Sequence, residues 1–405
     1  RDLGLPITLV NKQIPVIYGT QTLGARGYRP EDKNVQTSSD SASFSLNTLN
    51  VTRHTSIPLD VFGSAFFMLT RYEEIVKLDR DEHDRFPAWA SLAYQEGFLE
   101  RPIVDEYVEV LWAVMQSLWP GLVRKKRHFQ IRVSHDVDSP SQYAFKSWSK
   151  TARTIAGDVI KRRDPMGLVR GPWIWSWTGA RLHDADPYNT FDWIMDVSER
   201  YGMTSAFYFI CGRTDPKMDT AYEPEHPAIR ELMRRIHVRG HEIGLHPSYN
   251  SYRRPEAIAA EADRLRQICA EEGIAQHEWG GRMHFLRWEQ PTTLRAWEAA
   301  GMQYDSTLGF ADQAGFRCGT CREYPAFDPV EGRRLGLRLR PLVVMECSVM
   351  ADKYMALGQG NEALERMCAL KRNCQAVQGD FTLLWHNSQL ENQRKKTLYE
   401  AVLGA

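Results

Sequence analysis

The pattern of apolar and polar positions changes at residue 127. Before that point, apolar residues recur at helical spacing in two stretches, Phe62–Tyr72 and Val108–Leu118. The sequence Trp119-Pro120-Gly121 is typical of a helix end, and Lys125–Arg127 indicate an exposed joint. We therefore predict a smaller N-terminal α+β accessory domain over residues 1–127 and a second domain over residues 128–405.

After the joint, short apolar runs that are typical of buried strands alternate with amphipathic helical stretches. The predicted strands are Phe129–Val133, Ser205–Ile210, Glu242–Leu245, Val343–Cys347 and Phe381–Trp385. The predicted helices are Phe191–Tyr201, Ala228–Val238, Glu256–Glu271, Thr293–Ala300 and Glu362–Cys374. Strands that alternate with helices pair in parallel through right-handed crossovers, so the pattern predicts an α/β sheet or barrel.

Two stretches do not follow this alternation. Ser147–Arg163 is basic and helix-like, and Trp173–Trp177 is rich in tryptophan. A basic, partly apolar helix is more often a solvated face, and contact with a membrane surface is the alternative. No stretch of the sequence approaches the roughly 18–20 consecutive apolar residues that span a bilayer.

Charge and cysteine content narrow the classes of partner and compartment. The chain has 51 basic and 51 acidic residues, so no global field favours nucleic acid or an anionic membrane. A charged partner must therefore be recognised by a local site. The seven cysteines are odd in number and scattered, which favours a reducing cytoplasm over a secreted disulfide framework.

The first predicted strand of the second domain ends in Ser134-His135-Asp136-Val137-Asp138. Side chains alternate along a strand, so Asp136 and Asp138 lie on the same face. Two neighbouring carboxylates repel each other unless a cation or a shared proton relieves them, and a divalent metal is the simplest solution. The alternative is a pair of aspartates that form a turn or cap a helix.

A second polar strand end follows Glu242–Leu245. His246 lies at the carboxyl end of this strand, where ligands bind in parallel α/β folds. His241 lies at the start of the strand, and we interpret it as structural. Asn250 comes four residues after His246 and reaches the same point if the chain turns helically there.

Two further strand ends present Arg282 and His386. An arginine fixed near two carboxylates holds one of them ionised and orients it as a base, although a surface ion pair is the alternative. An imidazole at His386 titrates in the range that suits a general acid at neutral pH. A lone histidine is more often structural, but four polar strand ends in succession favour a functional site.

These motifs together resemble the polysaccharide deacetylase family, the NodB-homology domain of carbohydrate esterase family four. The resemblance covers about Phe129 to Leu390. It is carried, in the family's order, by His135-Asp136-Val137-Asp138, Gly240–His246, the Arg282 segment and Leu384-Trp385-His386. The chain is also similar to a divergent branch of that family through His246–Asn250 and Gly315–Thr320. Members of this branch often carry a similar N-terminal region, which here includes Phe62–Glu74 and Phe86–Asp105.

The resemblance implies a distorted (β/α), TIM-like barrel with fewer than eight strands and a role for each matching residue. Asp136 corresponds to the catalytic base, Arg282 to the arginine that orients it, and His386 to the general acid. Asp138 and His246 correspond to metal ligands. The backbone N–H near Phe285 corresponds to an oxyanion donor.

The sequence departs from the family's pattern at two positions. The family has a second metal histidine where this chain has Asn250, and its arginine motif continues to a proline where this chain has His284. Zinc accepts an asparagine oxygen less readily than an imidazole. Three alternatives remain open: Asn250 binds weakly, His284 or His135 replaces the missing histidine, or the site works without a tightly bound metal.

The sequence and the resemblance together predict a cytoplasmic, metal-dependent de-N-acetylase, with zinc as the favoured metal and an N-acetylated sugar as substrate. Asp312 and Arg317 lie in a polar, loop-like region that either reaches sugar hydroxyls or is an ordinary connection. Two other functions remain as alternatives. One is a metal-independent hydrolase of other non-peptide C–N bonds, and the other is a catalytically silent carbohydrate-binding protein. The sequence indicates no nucleic-acid partner and does not determine the oligomeric state.

Overall fold

The fold was analysed in a computed structural model, which describes residues 60–160 and 163–405. The α-helices of the described residues are α1 Val61–Leu69, α2 Glu73–Val76, α3 Leu92–Gln95, α4 Ile103–Leu118, α5 Trp148–Ile160, α6 Gly167–Trp177, α7 Phe191–Arg200, α8 Pro227–Val238, α9 Pro255–Glu271, α10 Thr292–Ala299, α11 Glu346–Met350, α12 Asn361–Ala376 and α13 Gln393–Gly404. The strands are β1 Gln130–Val137, β2 Ser205–Phe209, β3 Glu242–Leu245, β4 Gly280–Gly281, β5 Tyr304–Asp305, β6 Tyr324–Asp328, β7 Arg333–Leu339, β8 Val344–Met345 and β9 Asp380–Leu384. None of the described helices combines the length and apolar character needed to cross a membrane.

The strands form one nine-stranded sheet in the order β6-β7-β5-β4-β3-β2-β1-β9-β8. All neighbouring pairs are parallel except β6 and β7, which are antiparallel. The central strand β2 is buried at every position, as expected for a parallel strand covered on both faces. The α/β prediction is therefore confirmed.

The sheet is not closed, so the barrel that the resemblance implies is not confirmed. A strand has two hydrogen-bonding edges, and β7 uses one for β5 and the other for β6. No edge of β7 is then left for β8, which pairs with β9. Closing the sheet into a barrel would need β7 to pair with β8, but β6 occupies the edge of β7 that this pairing would use.

The elements that carry the strongest sequence pattern are confirmed closely. The predicted strands at Ser205–Ile210 and Glu242–Leu245 correspond to β2 and β3, and all five predicted helices are present to within two residues at each end. The prediction at Val343–Cys347 is only partly right, because the strand stops at Met345 and a helix begins at Glu346. The strand end predicted before Arg282 corresponds to β4, whereas β5 was missed because two residues are too short to show a period.

Residues 60–127 contain helices and no strand, and any strand of the predicted α+β domain in residues 1–59 falls outside the described residues. The two helical predictions in this region correspond to α1 and α4, and α4 ends at Leu118, directly before Trp119-Pro120-Gly121. The division of the chain at residue 127 stays a prediction.

A buried ion-pair network connects the N-terminal helices to the segment between β5 and β6. Arg317 donates to both carboxylate oxygens of Glu74 at 2.9 and 2.6 Å, and Arg71 donates to the same carboxylate at 2.8 Å. Burial alone raises the pKa of Glu74, but the charges of Arg317 and Arg71 hold that pKa below its ordinary value. Because all three side chains are almost fully buried, none of them regains solvation if a partner is lost.

We expect Arg317→Ala to lower the free energy of unfolding by about 3 kcal/mol, because it leaves a buried carboxylate with only Arg71 as partner. Chemical denaturation measures this change. The matched control is Arg200→Ala, which removes an exposed pair with Glu400 and should leave the denaturation midpoint unchanged. Equal effects of the two substitutions would contradict the assignment of this network as a main attachment.

Candidate functional site

Five polar side chains meet at the carboxyl ends of the parallel strands. They come from β1 and the residue after it, from the residue after β3, and from the segments after β4 and β9. In the order of the chain they are Asp136, Asp138, His246, His284 and His386. Strand adjacency explains the meeting, because β9, β1, β2, β3 and β4 are consecutive neighbours in the sheet.

The end of β1 sends alternate side chains to opposite faces. Asp136 and Asp138 both approach Nε2 of His246, at 3.7 and 3.2 Å. His135 is fully buried on the other face, where its Nδ1 lies 2.6 Å from the carbonyl oxygen of Trp385. Burial lowers the pKa of His135 to about 3, so the ring is neutral at ordinary pH. His135 is therefore placed outside the group around Asp138.

Arg282 fixes the orientation of Asp136. Its Nη1 donates to Oδ1 of Asp136 at 2.7 Å. Its other donors bind the hydroxyl of Ser134 and both the hydroxyl and the backbone carbonyl of Ser306, at 2.9 to 3.0 Å. A buried guanidinium held at four points keeps one carboxylate oxygen occupied and leaves Oδ2 of Asp136 facing His246.

The two histidines nearest Asp138 are each held through Nδ1. His246 directs Nδ1 to the backbone carbonyl of Arg282 at 2.5 Å, and His284 directs Nδ1 to the carboxylate of Asp219 at 3.1 Å. Both partners are acceptors, so Nδ1 carries the hydrogen and Nε2 carries the lone pair in the neutral ring. Nε2 of His246 and of His284 lies 3.2 and 3.8 Å from Oδ1 of Asp138.

In the neutral rings, the Nε2 lone pairs of His246 and His284 face the carboxylate of Asp138. Oδ1 of Asp138 is buried and has no hydrogen-bond partner among the described residues, although Nε2 of His246 is close. Burial lowers the pKa of His246, but the charges of Asp136 and Asp138 outweigh it and raise the pKa above the ordinary value. A positive charge is thus favoured between these side chains, either as protons on the imidazoles or as a bound cation.

The donor set fits a divalent cation. One carboxylate oxygen and two imidazole nitrogens, from Asp138, His246 and His284, all lie within 4.8 Å of one another. Histidine ligands of zinc characteristically direct their second nitrogen to a carbonyl or carboxylate, as Arg282 and Asp219 provide here. A ligand oxygen must also be free of a competing proton donor, and the buried Oδ1 of Asp138 has no hydrogen-bond partner among the described residues.

His386 approaches the second carboxylate oxygen of Asp138. Its Nε2 is 3.5 Å from Oδ2 of Asp138, and its Nδ1 is 2.6 Å from Oε1 of Glu346. Burial lowers the pKa of His386, but the buried carboxylate of Glu346 outweighs it and raises the pKa well above the ordinary value. The carboxylates of Glu346 and Asp138 thus favour the protonated form of His386.

The turn after Arg282 has a strained backbone. Phe285 and Leu286 have φ values of 60° and 57°, a conformation that non-glycine residues rarely adopt. Arg85 donates to the Phe285 carbonyl at 3.0 Å, and no hydrogen bond from the Phe285 N–H is found within the described ranges. This N–H is therefore available to a ligand.

The structure places the other sequence-predicted residues in different contacts. Asn250 accepts a hydrogen bond from Arg287 through Oδ1 at 2.9 Å, so its oxygen is occupied outside the group around Asp138. Asp312 accepts from the backbone N–H of Ala88. Arg317 is committed to Glu74 and to the Gly309 carbonyl. Of the three alternatives for the missing histidine, the geometry brings His284 to the site.

Three residues of the site were missed by sequence reasoning. Asp219 and Glu346 hold His284 and His386, but each lies in a segment without a motif, and Glu346 was assigned to a strand. His83 belongs to the N-terminal region, and its ring lies 4.8 Å from that of Phe285. Only the fold brings these residues to the strand ends, so no local pattern identifies them.

The chain was also compared with known proteins. Residues 9–120 match the model of a family of unknown function, DUF7033. No curated protein matches the chain. One matching solved structure is described as "Crystal structure of putative polysaccharide deacetylase from Mycobacterium smegmatis"; it has 13% identity and a TM-score of 0.44, and the match covers 70% of this chain and 85% of that chain. Likeness at this level carries no functional argument, so the function must be argued from the residues of the site.

We expect Glu346→Gln to lower the pKa of His386, because burial then acts without the opposing carboxylate charge. An NMR titration of the His386 ring, with the protein kept free of metal, measures the change. Glu82→Gln, which removes an exposed carboxylate elsewhere, is the control and should leave the His386 titration unchanged. A His386 pKa that does not move in Glu346→Gln would show that Glu346 does not control its protonation.

Proposed function

We propose that this chain is a metal-dependent hydrolase that removes the acetyl group from the nitrogen of an N-acetylated sugar. The observation that carries the proposal is the order of groups across the site. A carboxylate held by Arg282 approaches His246, which lies near Oδ1 of Asp138, and an imidazole held by Glu346 approaches Oδ2 of Asp138. Amide hydrolysis requires such a base and acid on the two sides of the carbonyl carbon.

Asp138, His246 and His284 are the proposed metal ligands, with zinc as the favoured ion. Their converging, unprotonated donor atoms and the supporting Arg282 carbonyl and Asp219 carboxylate support this assignment. When bound, a divalent cation supplies Lewis-acid chemistry, which polarises the amide carbonyl and makes water more acidic.

Asp136 is the proposed general base. Arg282 occupies Oδ1, so Oδ2 is the atom that takes the proton of the attacking water. The rigid attachment of Arg282 matters here, because a base works efficiently only when its oxygen is held within hydrogen-bond reach of the water.

His386 is the proposed general acid. An amine leaves an amide only when its nitrogen is protonated, and Nε2 of His386 carries a proton that the Glu346 carboxylate stabilises. The side chains of Asp138 and His386 are 33% and 15% exposed, more than the others of the group, so the site opens to solvent on the side of the acid.

The free N–H of Phe285 is the proposed donor to the oxyanion. Its strained turn is anchored by Arg85 and lies next to His284 in sequence, which supports a fixed position beside the reacting carbonyl. The sugar itself is proposed from the motif resemblance. The partly exposed rings of Tyr249 and Phe285, with centroids 5.2 Å apart, provide apolar faces beside the site on which a sugar ring can pack.

We expect the purified chain to bind about one equivalent of zinc, and we expect His284→Ala to weaken zinc binding by at least about 100-fold because it removes a direct ligand. Asp219→Asn should weaken it by about 10- to 100-fold, because it no longer fixes the His284 ring. Isothermal titration of the metal-free protein measures both. Asn250→Ala is the matched control and should bind zinc as the unaltered chain does. Loss of zinc in Asn250→Ala with retention in His284→Ala would reverse the ligand assignment.

Acetate release from N-acetylated sugar oligomers tests the reaction. We expect Asp136→Asn and His386→Ala each to lower kcat by about 10²- to 10⁴-fold, since each removes a proton-transfer group. Asp263→Asn and His277→Ala, both at exposed positions, are controls that should leave kcat unchanged. Full activity in the metal-free protein would favour the metal-independent hydrolase. No turnover of any amide, with retained sugar binding, would favour the silent binding protein.

A further inference from the structure

Apart from Arg170 and Ser176, the helix α6 consists of apolar residues and glycine. Its inner face consists of the buried residues Gly167, Gly171 and Ile174, which pack against α5 closely enough that a Cβ on Gly171 would lie 2.5 Å from Ile155. Its outer positions are also apolar, and Arg170 is the one charged residue of the helix. A helix of this composition is normally covered on all sides, by protein or by lipid.

The hairpin of α5 and α6 instead leaves its large apolar side chains exposed. Among the described residues, eight of the 21 exposed large hydrophobic side chains lie in this one hairpin. They are Trp148, Ile160, Met166, Leu168, Val169, Trp173, Trp175 and Trp177, each between 40% and 76% exposed. Exposed apolar surface concentrated in this way indicates an interaction site.

The hairpin is a fixed part of the fold. Asp158 of α5 accepts from Gln142 and from the hydroxyl of Tyr143, each at 2.8 Å, and these two residues belong to the loop that leaves β1. Asp186, on the chain beyond α6, accepts from the backbone N–H of Gln142 at 2.9 Å. The exposed face is therefore held in place beside the carboxyl end of β1, ten residues after Asp138.

The charge of this region is strongly positive in a chain that is neutral overall. Residues 141–181 contain eight basic and two acidic residues, and one of the two acidic residues is the buried Asp158. Lys150, Arg153 and Arg163 are exposed. Apolar and basic side chains therefore occur together on the same hairpin.

We propose that the α5–α6 hairpin is a docking surface for an anionic lipid bilayer. Tryptophan is favoured at the boundary between lipid headgroups and acyl chains, where its ring is buried and its N–H stays hydrated. Basic residues around such a face are attracted to anionic headgroups and strengthen the binding. The hairpin lies on the surface of the bilayer and does not cross it.

Charge and side-chain type favour a lipid bilayer over three other occupants of the hairpin: a second copy of the chain, residues 1–59 and a polysaccharide. A second copy of the chain would bring the same positive hairpin against itself. Residues 1–59 contain six basic and four acidic residues, so they offer no opposite net charge. A polysaccharide would use the tryptophan rings but not Leu168 and Val169, which are more exposed than Trp173 and Trp175 and have no ring to stack on a sugar.

Vesicle sedimentation of the full chain tests the proposal. We expect binding to vesicles of phosphatidylcholine with about 30% phosphatidylglycerol, a fraction that makes the surface anionic. Binding to pure phosphatidylcholine should be weak, and raising the salt concentration should release the protein from the anionic vesicles. The double variant Trp173→Ser with Trp177→Ser should lower the partition coefficient at least about tenfold. Lys150→Gln with Arg153→Gln should lower it by a similar factor at low salt.

The controls match the type and exposure of the altered residues. Trp89→Ser with Trp119→Ser removes two tryptophans that are 54% and 57% exposed outside the hairpin, and Arg334→Gln with Arg372→Gln removes two exposed charges. Both controls should bind anionic vesicles as the unaltered chain does. Circular dichroism and thermal unfolding check that each variant is folded.

Four results would overturn the proposal. The first is failure of the full chain to bind anionic vesicles. The second is equal loss of binding in the hairpin variants and the controls. The third is sedimentation with insoluble chitin that depends on the hairpin tryptophans while vesicles are not bound, which would indicate a sugar-binding face. The fourth is a dimer in light scattering that the Trp173 and Trp177 variant converts to a monomer. None of these measurements depends on catalysis, so the proposed function is tested separately.

Discussion

Two neighbouring carboxylates at one strand end create the electrostatic problem around which the site is organised. Asp136 at the end of β1 and Asp138 directly after it both approach His246. Placing two negative charges there is unfavourable unless positive charge is supplied from the neighbouring strands. Arg282 supplies it to Asp136, and the converging imidazoles, with the cation they are proposed to hold, supply it to Asp138.

The solution divides the two aspartates into different chemical roles. Asp136 is paired through Oδ1 with a guanidinium that has a permanent charge, which leaves Oδ2 directed to His246. Asp138 is surrounded by groups that titrate or bind metal, so its oxygen is available for coordination. In the proposed function the same type of side chain therefore serves as base and as ligand because the environments differ, a division seen in other paired carboxylates.

The sequence predicted the elements with strong periodicity and the residues at strand ends, because both signals are local. Alternation along Ser134–Asp138 predicted that Asp136 and Asp138 share a face, and both approach Nε2 of His246. The sequence did not decide between Asn250 and His284, because that choice depends on the path of the turn after β4. Glu346 and Asp219 were not predicted, since each reaches its histidine only through tertiary packing. The alternation of Leu335, Leu337 and Leu339 is a local signal for β7, which was not among the predicted strands.

Arg282 has a consequence for how this site can change in evolution. Its guanidinium binds Asp136, while its backbone carbonyl binds His246. The backbones of β3 and β4 also lie close together, since a Cβ atom on Gly281 would be 1.8 Å from the Leu245 carbonyl oxygen. A displacement of this short strand would therefore move the partner of Asp136 and the partner of His246 together. Substitutions that shift the backbone at residue 282 thus alter the proposed base and the proposed metal ligand at the same time.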